Sequence, residues 1–233
     1  MLTHDPELVR PTSNSLSLSP SDLARLLARA GVTPRRFLAR QAIDFGANPR
    51  QLAIILQGAI SMGVEIEDGY TVEAALAGTG DWLGWPASPP KALFTGVLDG
   101  ELGFVSRDAL LNEAAALGYS APDVLALAAS ATHRAWTNLA CQGRHSITQR
   151  LARRLLDISR LGGGLDTIPM TQDEAALALG VQRTSVTHAA VKLQEVGAVR
   201  VVRARTIITD RAALERLACS CAHRANAARE ASL

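Results

Sequence analysis

Arg183, Thr184, Ser185 and His188 stand close together in VQRTSVTHAAVKLQEVG, just after a lone glycine, Gly180. An arginine fork fits the O6 and N7 acceptors of guanine, and Thr or His reaches other base edges in a major groove. Arg183, Thr184 and His188 are therefore the candidate base contacts. Thr171, Ser185, Lys192, Arg203 and Arg205 are the candidate phosphate contacts, which position a protein on a duplex without reading it. No catalytic set stands beside these residues. Glu65, Glu67, Asp68, Glu73 and Asp81 occur in a stretch without His or Cys and read mostly as solvated strand edges or turn residues. The cysteines are Cys141 and the C-x-C pair Cys219 and Cys221. That spacing is neither a disulfide framework nor a C-x-x-C knuckle, so reduced thiols are expected and no metal is assigned. Gly162, Gly163 and Gly164 lack the spacing of a phosphate-binding loop and read as a helix stop.

The candidate base contacts need a scaffold that presents one face of a helix. QDEAALAL supplies a first helix, capped by Thr171, with Asp173 and Glu174 in the first turn where they suit the helix dipole. Gly180 permits a left-handed turn. Ala176 is small where two helices must meet, and Leu179, Val181, Val186 and Ala190 supply a shared core. An ordinary αα-hairpin is the alternative, but these positions together fit a helix-turn-helix. GAVRVVRARTIITD then gives two short strands around Arg203 and Arg205, a wing.

The charge is divided in the same way. From Gly143 onward there are 14 Lys and Arg against 8 Asp and Glu, whereas residues 1–142 carry 10 against 14. A basic C-terminal part behind an acidic N-terminal part suits contact with a polyanion through the former alone. Upstream, residues 1–20 read as a tail. SPSDLARLLARAG follows as a helix with Leu23, Leu26 and Leu27 on one face, capped by Ser19 or Ser21. From about residue 35 to 106, short apolar runs broken by Gly, Pro, Asn and Asp predict several antiparallel strands. EDGY at 67–70 is a hairpin turn. Ser120 opens a long helix that runs to Gly143. Its ridge of Leu125, Ala128, Thr132, Ala135 and Leu139 suits a dimer seam, with a buried intrachain helix as the alternative. Ser146 and Gln149 form a capping box for ITQRLARRLLDISRLG, with Ile147, Leu151, Leu155 and Ile158 on one side and arginines on the other. No apolar run is long enough to span a membrane and no signal peptide is visible, so a cytoplasmic protein is expected.

CQGRHSITQRLARRLLDISRLG, IPMTQDEAALALGVQRTSVTHAAVKLQEVGAVRV and TIITDRAALERLAC resemble the Crp/Fnr family of bacterial transcription regulators. The stretch from Arg40 to Pro86 looks like that family's effector barrel. The resemblance implies an α+β chain in four parts: a tail and short helix (1–30), an antiparallel jelly-roll β-barrel sensor (31–118), a dimerisation helix (119–144) and a C-terminal winged helix-turn-helix (145–233). It implies homodimers on near-palindromic duplex DNA, with RNA polymerase as a further partner. On this analogy Arg183 holds the recognition-helix arginine position. Thr184 and His188 replace the Glu and Arg of the cyclic-AMP receptor branch, so a different base sequence is expected. The sensor departs from the family. GTGDWLGWPASPPKALFTG lacks the Gly-Glu pair and the Arg-Ser/Thr of the phosphate cassette and offers only Lys91, a point charge rather than a fork. Cyclic-nucleotide control is disfavoured. An iron–sulfur cluster is disfavoured by the absence of cysteine before Cys141, and haem by the absence of histidine between His4 and His133. Trp82, Trp85 and Lys91 remain the candidate effector pocket, with simple core as the alternative for the two tryptophans. The effector is unassigned. A ligand-independent regulator with a vestigial barrel stays open, as does a barrel enzyme with an accessory helix-turn-helix.

Overall fold

The computed structural model describes residues 20–45, 50–67, 69, 71–85 and 92–221, with backbone alone at 20, 22, 23 and 125–131. The N-terminal part opens with helix α1 (Pro20–Arg29). An antiparallel sheet follows, built from β1 (Thr33–Phe37), β2 (Gln51–Glu65), β3 (Thr71–Gly78), β4 (Trp82–Leu83) and β5 (Ala92–Ser106). Its order is β1-β5-β2-β3, with β4 also on β2. Helix α2 (Arg107–Ala116) leads to the long α3 (Ala121–Arg144), which opens with a Ser120–Asp123 capping box. The C-terminal part holds α4 (Ile147–Leu161), β6 (Thr167–Ile168), α5 (Gln172–Leu179), α6 (Arg183–Glu195), β7 (Val199–Val202), β8 (Arg205–Ile208) and α7 (Arg211–Leu217). The class is the expected one: α+β, with an antiparallel N-terminal sheet, a long helix and a C-terminal helix-turn-helix beside a small sheet.

The strands differ from the expectation in length. Where the sequence suggested several short runs, β2 and β5 are each 15 residues long and pair along most of that length. They bend through register shifts between Ile55 and Ile60. At the bend the two backbones nearly touch, and a Cβ on Gly100 would lie 2.1 Å from the Gln57 carbonyl oxygen. The glycines that read as breaks between strands are the residues that let one strand continue through a bend. On either side of the hairpin turn expected at 67–70, β2 and β3 pair antiparallel, with Glu65 opposite Thr71. Asp68 and Tyr70 lie outside the described residues.

Alternation along β2 buries both of its faces. Leu52 and Ile54 pack with Leu26, Leu110, Ala114 and Val124 beneath the helices. Ala53 and Ile55 pack with Phe37, Phe94, Leu102 and Phe104 on the opposite side. The C-terminal part has its own core of Leu151, Leu155, Ile158, Ile168, Leu193 and Leu214.

The two parts are joined by buried charges, and here the reading of Glu73 and Asp81 as solvated groups is corrected. Glu73 is 6 % exposed and Asp81 5 %. Glu73 pairs with Arg154 of α4, and Asp81 with Arg134 of α3 at 3.1 Å. The arginine side of α4 is likewise turned inward. Arg150 and Arg154 are buried, and Arg150 donates to the Leu179 carbonyl oxygen at 2.9 Å. Burying a carboxylate or a guanidinium requires a partner, and each partner here is distant in sequence.

Candidate nucleic-acid interface

The interface begins with the cap of α5. Thr171 Oγ1 accepts from the Glu174 amide at 3.1 Å, and Glu174 Oε2 accepts from the Thr171 amide at 2.7 Å. The helix ends at Gly180, whose φ of 61° and ψ of 42° are left-handed, and the Val181 amide closes back on the Ala176 carbonyl at 3.1 Å. The chain can then turn sharply into α6. Thr187 Oγ1 donates to Gln172 Oε1 at 2.8 Å and ties the two helices together. Val186, Ala189, Ala190 and Leu193 face inward.

That packing leaves the other face of α6 outside. Arg183, Thr184, His188 and Lys192 are all exposed, and Ser185 is half-buried. The helix opens at Gln182 without a side-chain cap, so the positive end of its dipole meets whatever approaches. Val191, 42 % exposed, shares the outward face. It offers an apolar contact suited to a thymine methyl. The sequence reading did not include it.

Arg183 is not idle in the free protein. Its Nη1 lies 3.4 Å from Asp173 Oδ2, in a pair whose side chains are 65 % and 67 % exposed. Such a pair is weak and exchanges with solvent or another anion. The wing is the β7–β8 hairpin, with Val202 opposite Arg205 and Arg203–Ala204 between them. Ala204 adopts a φ of 61°, a costly left-handed conformation for a residue with a Cβ. The tight turn leaves Arg203 and Arg205 exposed, with Arg200 also exposed on β7. Between wing and helices lies a cleft of about 480 Å³ bordered by Gln172, Asp173, Arg183 and Arg203. The structure thus brings all the candidate base contacts onto one face. Of the candidate phosphate contacts, Thr171 is half-buried and its oxygen serves the α5 cap.

Helix α3 also has two sides. Arg134, Asn138 and Cys141 are buried towards the rest of the chain. Thr132 is exposed and Ala135 half-buried, while Leu139 is 60 % and Trp136 67 % exposed. Trp136 belongs to the outward stripe although the sequence reading did not include it. Leu125 and Ala128 lie among the residues whose side chains are not described, and Lys91 lies outside the described residues. Trp82 and Trp85 sit on the helix-covered side of the sheet, 2 % and 6 % exposed, packed with Leu26 and Leu110. This is tight core, and neither indole borders the described clefts. A cleft of about 340 Å³ lies elsewhere, between the sheet and the helical pair, bordered by Arg40, Ser61, Glu73, Thr95, Arg154 and Glu174. Nothing in the spacing of the cysteines showed that Cys141, His145, Cys219 and Cys221 converge, yet their donor atoms lie within 4.8 Å of one another.

The fold and the exposed helix bear on comparison with known proteins. Residues 149–217 match the family model described as the Crp-like helix-turn-helix domain. The protein carries a Crp-like helix-turn-helix domain. The resemblance to Crp/Fnr regulators holds across the rest of the chain as a likeness of fold. FixK2 from Bradyrhizobium japonicum superposes with a TM-score of 0.66 at 19 % identity, covering 81 % of this chain and 98 % of FixK2. TTHB099, a CRP-family transcriptional regulator from Thermus thermophilus, gives 0.65 at 19 % identity, covering 79 % and 96 %. CLP, a c-di-GMP-responsive global regulator from Xanthomonas campestris, gives 0.63 at 19 % identity, covering 81 % and 98 %. No curated protein matches by sequence. No helix among the described residues is long and apolar enough to cross a membrane.

Proposed function

We propose that the protein is a sequence-specific regulator of transcription that binds a near-palindromic duplex as a homodimer. It works in the cytoplasm, carries no catalytic activity and acts on RNA polymerase at promoters. The observation that carries this reading is the outward face of α6, where Arg183, Thr184 and His188 stand free of the core beside an arginine-bearing wing. The outward stripe of α3, with Trp136 and Leu139, supports the dimer. We further infer that cyclic AMP is not the effector. Arg40 and Arg154, the cations bordering the cleft between sheet and helical pair, are already paired with Glu174 and Glu73. A cyclic phosphate would have to displace a carboxylate to be bound there. The same pairs favour a second reading, a ligand-independent regulator, because they hold the helical pair on the sheet without a guest. The fold alone does not choose an effector, since a neighbour of similar fold responds to c-di-GMP.

The test is fluorescence anisotropy with a duplex taken from upstream of the protein's own gene, against a scrambled duplex, across a salt series. Preferential binding that weakens steeply with salt is expected. Equal affinity for both duplexes, or binding that ignores salt, sinks the reading. Adding cyclic AMP is expected to leave the isotherm unchanged.

A further inference from the structure

Cys141 and His145 occupy the last turn of α3 and its cap, one helical turn apart. The His145 amide bonds to the Cys141 carbonyl oxygen at 3.0 Å. That i,i+4 spacing puts a thiol and an imidazole on one face. Cys219 and Cys221 follow α7 at the far end of the C-terminal part. Ser220 turns between them, and both sulfurs lie beside the end of α3.

The distances are those of a single coordination sphere. Cys141 Sγ lies 3.5 Å from Cys219 Sγ, and Cys221 Sγ lies 3.5 Å from His145 Nδ1. A tetrahedral ion with metal–sulfur bonds of about 2.3 Å and a metal–nitrogen bond of about 2.0 Å holds its donors roughly 3.5–3.8 Å apart. All four donor atoms fall within 4.8 Å of one another, which is too close for a cluster of several irons. Cys141 and Cys219 are buried, and His145 and Cys221 are half-buried. A sphere closed by four protein donors, three of them soft sulfurs, suits a structural zinc-type ion rather than a hard cation.

The surroundings fit the charge of such a site. Three thiolates, a neutral imidazole and a divalent ion sum to one negative charge. The positive charge of Arg153 acts on all three thiols, and Arg150 interacts with Cys141 and Cys219. The Nε atoms of both arginines are buried without a hydrogen-bond partner among the described residues. Cationic neighbours of this kind tune and hold thiolate ligands.

We propose that Cys141, His145, Cys219 and Cys221 form a closed tetrahedral site for one thiophilic divalent cation of the zinc type, which fastens the end of α3 to the end of the DNA-binding head. Binding deprotonates the three thiols, releases their protons to solvent and leaves His145 neutral, with no change of oxidation state. The ion spans the junction at Gly143–Ser146 and so fixes the head relative to the long helix. The inference does not depend on which duplex the protein reads.

The experiment uses the full chain, purified under reducing and chelator-free conditions. Elemental analysis is expected to find about one zinc per chain. Titrating the thiols with a mercurial should release that metal as three thiols react. Replacing the zinc with cobalt(II) should give the absorption of a tetrahedral thiolate complex. Cys219→Ser and His145→Gln should each weaken cobalt affinity at least about tenfold. Chelation should increase proteolytic cleavage within residues 143–146. Should Cys219→Ser fail to fold, titration of the reduced wild-type apoprotein with cobalt decides alone. A folded, fully reduced protein that takes up no cobalt overturns the site. So does a Cys141–Cys219 disulfide in protein isolated under those reducing conditions.

Discussion

Under the proposed function, base reading rests first on Arg183. Its exposure and its partner, Asp173, make it available at little cost, because an exposed pair at 3.4 Å contributes at most about 1 kcal/mol. Arg183→Ala should lower operator affinity about 10- to 100-fold, the cost of one bidentate base contact, and relax preference at one base pair of each half-site. Binding to a random duplex should change far less, since one charge in many is lost. Competition anisotropy with single-base variants of the operator checks both outcomes. Asp173→Asn should act in the opposite direction. Freeing Arg183 and removing a negative charge from the approach should tighten duplex binding by roughly two- to fivefold, most clearly at low salt. An unchanged or weaker affinity would mean that Asp173 orients the arginine rather than merely occupying it.

At the scale of elements, α4 is the helix that holds the molecule together. Its apolar side fills the head, and its arginines grip β3 and α5. Glu73→Ala leaves the buried Arg154 guanidinium without its carboxylate and should cost roughly 3–5 kcal/mol. Glu73→Leu with Arg154→Met should recover most of that stability while loosening the specific seating of α5 on the sheet. Urea unfolding separates the two cases. A second link runs from Arg40 to Glu174, at the N-terminus of α5. Burial pushes the Glu174 carboxyl up, but the hydrogen bonds from Arg40 and Thr171, with the Arg40 charge, outweigh it and hold it below the usual 4.5. A depressed acid contributes stability above its unfolded value and loses it as pH falls through the folded one. The advantage of the wild type over Glu174→Gln should therefore be full near neutrality and shrink below about pH 4.5. Thermal midpoints of the two proteins between pH 3 and 7 test this; an advantage that persists at pH 3 would remove the ion pair from the explanation.

At the scale of the whole molecule, the two-sided α3 sets the expected assembly. Trp136 and Leu139 stand outward, 67 % and 60 % exposed. Burying each in a dimer would gain about 1.5–3 kcal/mol. Leu139→Asp should therefore raise the dimer dissociation constant at least about tenfold, visible by light scattering at micromolar concentration. It should also weaken operator binding, because a monomer reaches a single half-site. If the variant stays dimeric with wild-type affinity, the seam lies elsewhere.

The sequence by itself determined the local devices. Ser120, Ser146 and Thr171 were legible as caps because a cap is a relation between residues three apart. Gly180 was legible because only a left-handed turn joins helices so abruptly, and the face of α6 because helical periodicity sorts Val186 and Ala190 from Arg183 and His188. What only the tertiary structure decided were relations between residues far apart in the chain. Glu73 and Asp81 looked solvated because their arginines come from helices some 50–80 positions downstream. The 15-residue strands β2 and β5 looked broken because a glycine at a bend and a glycine at a turn read alike. Trp82 and Trp85 looked like pocket residues because alternation does not say which face of the sheet the helices cover. Cys141 looked unconnected to the Cys219 and Cys221 pair because 78 residues separate it from Cys219. Spacing along a chain governs what a helix or a turn presents, whereas burial of charge and convergence of ligands depend on which surfaces the core brings together.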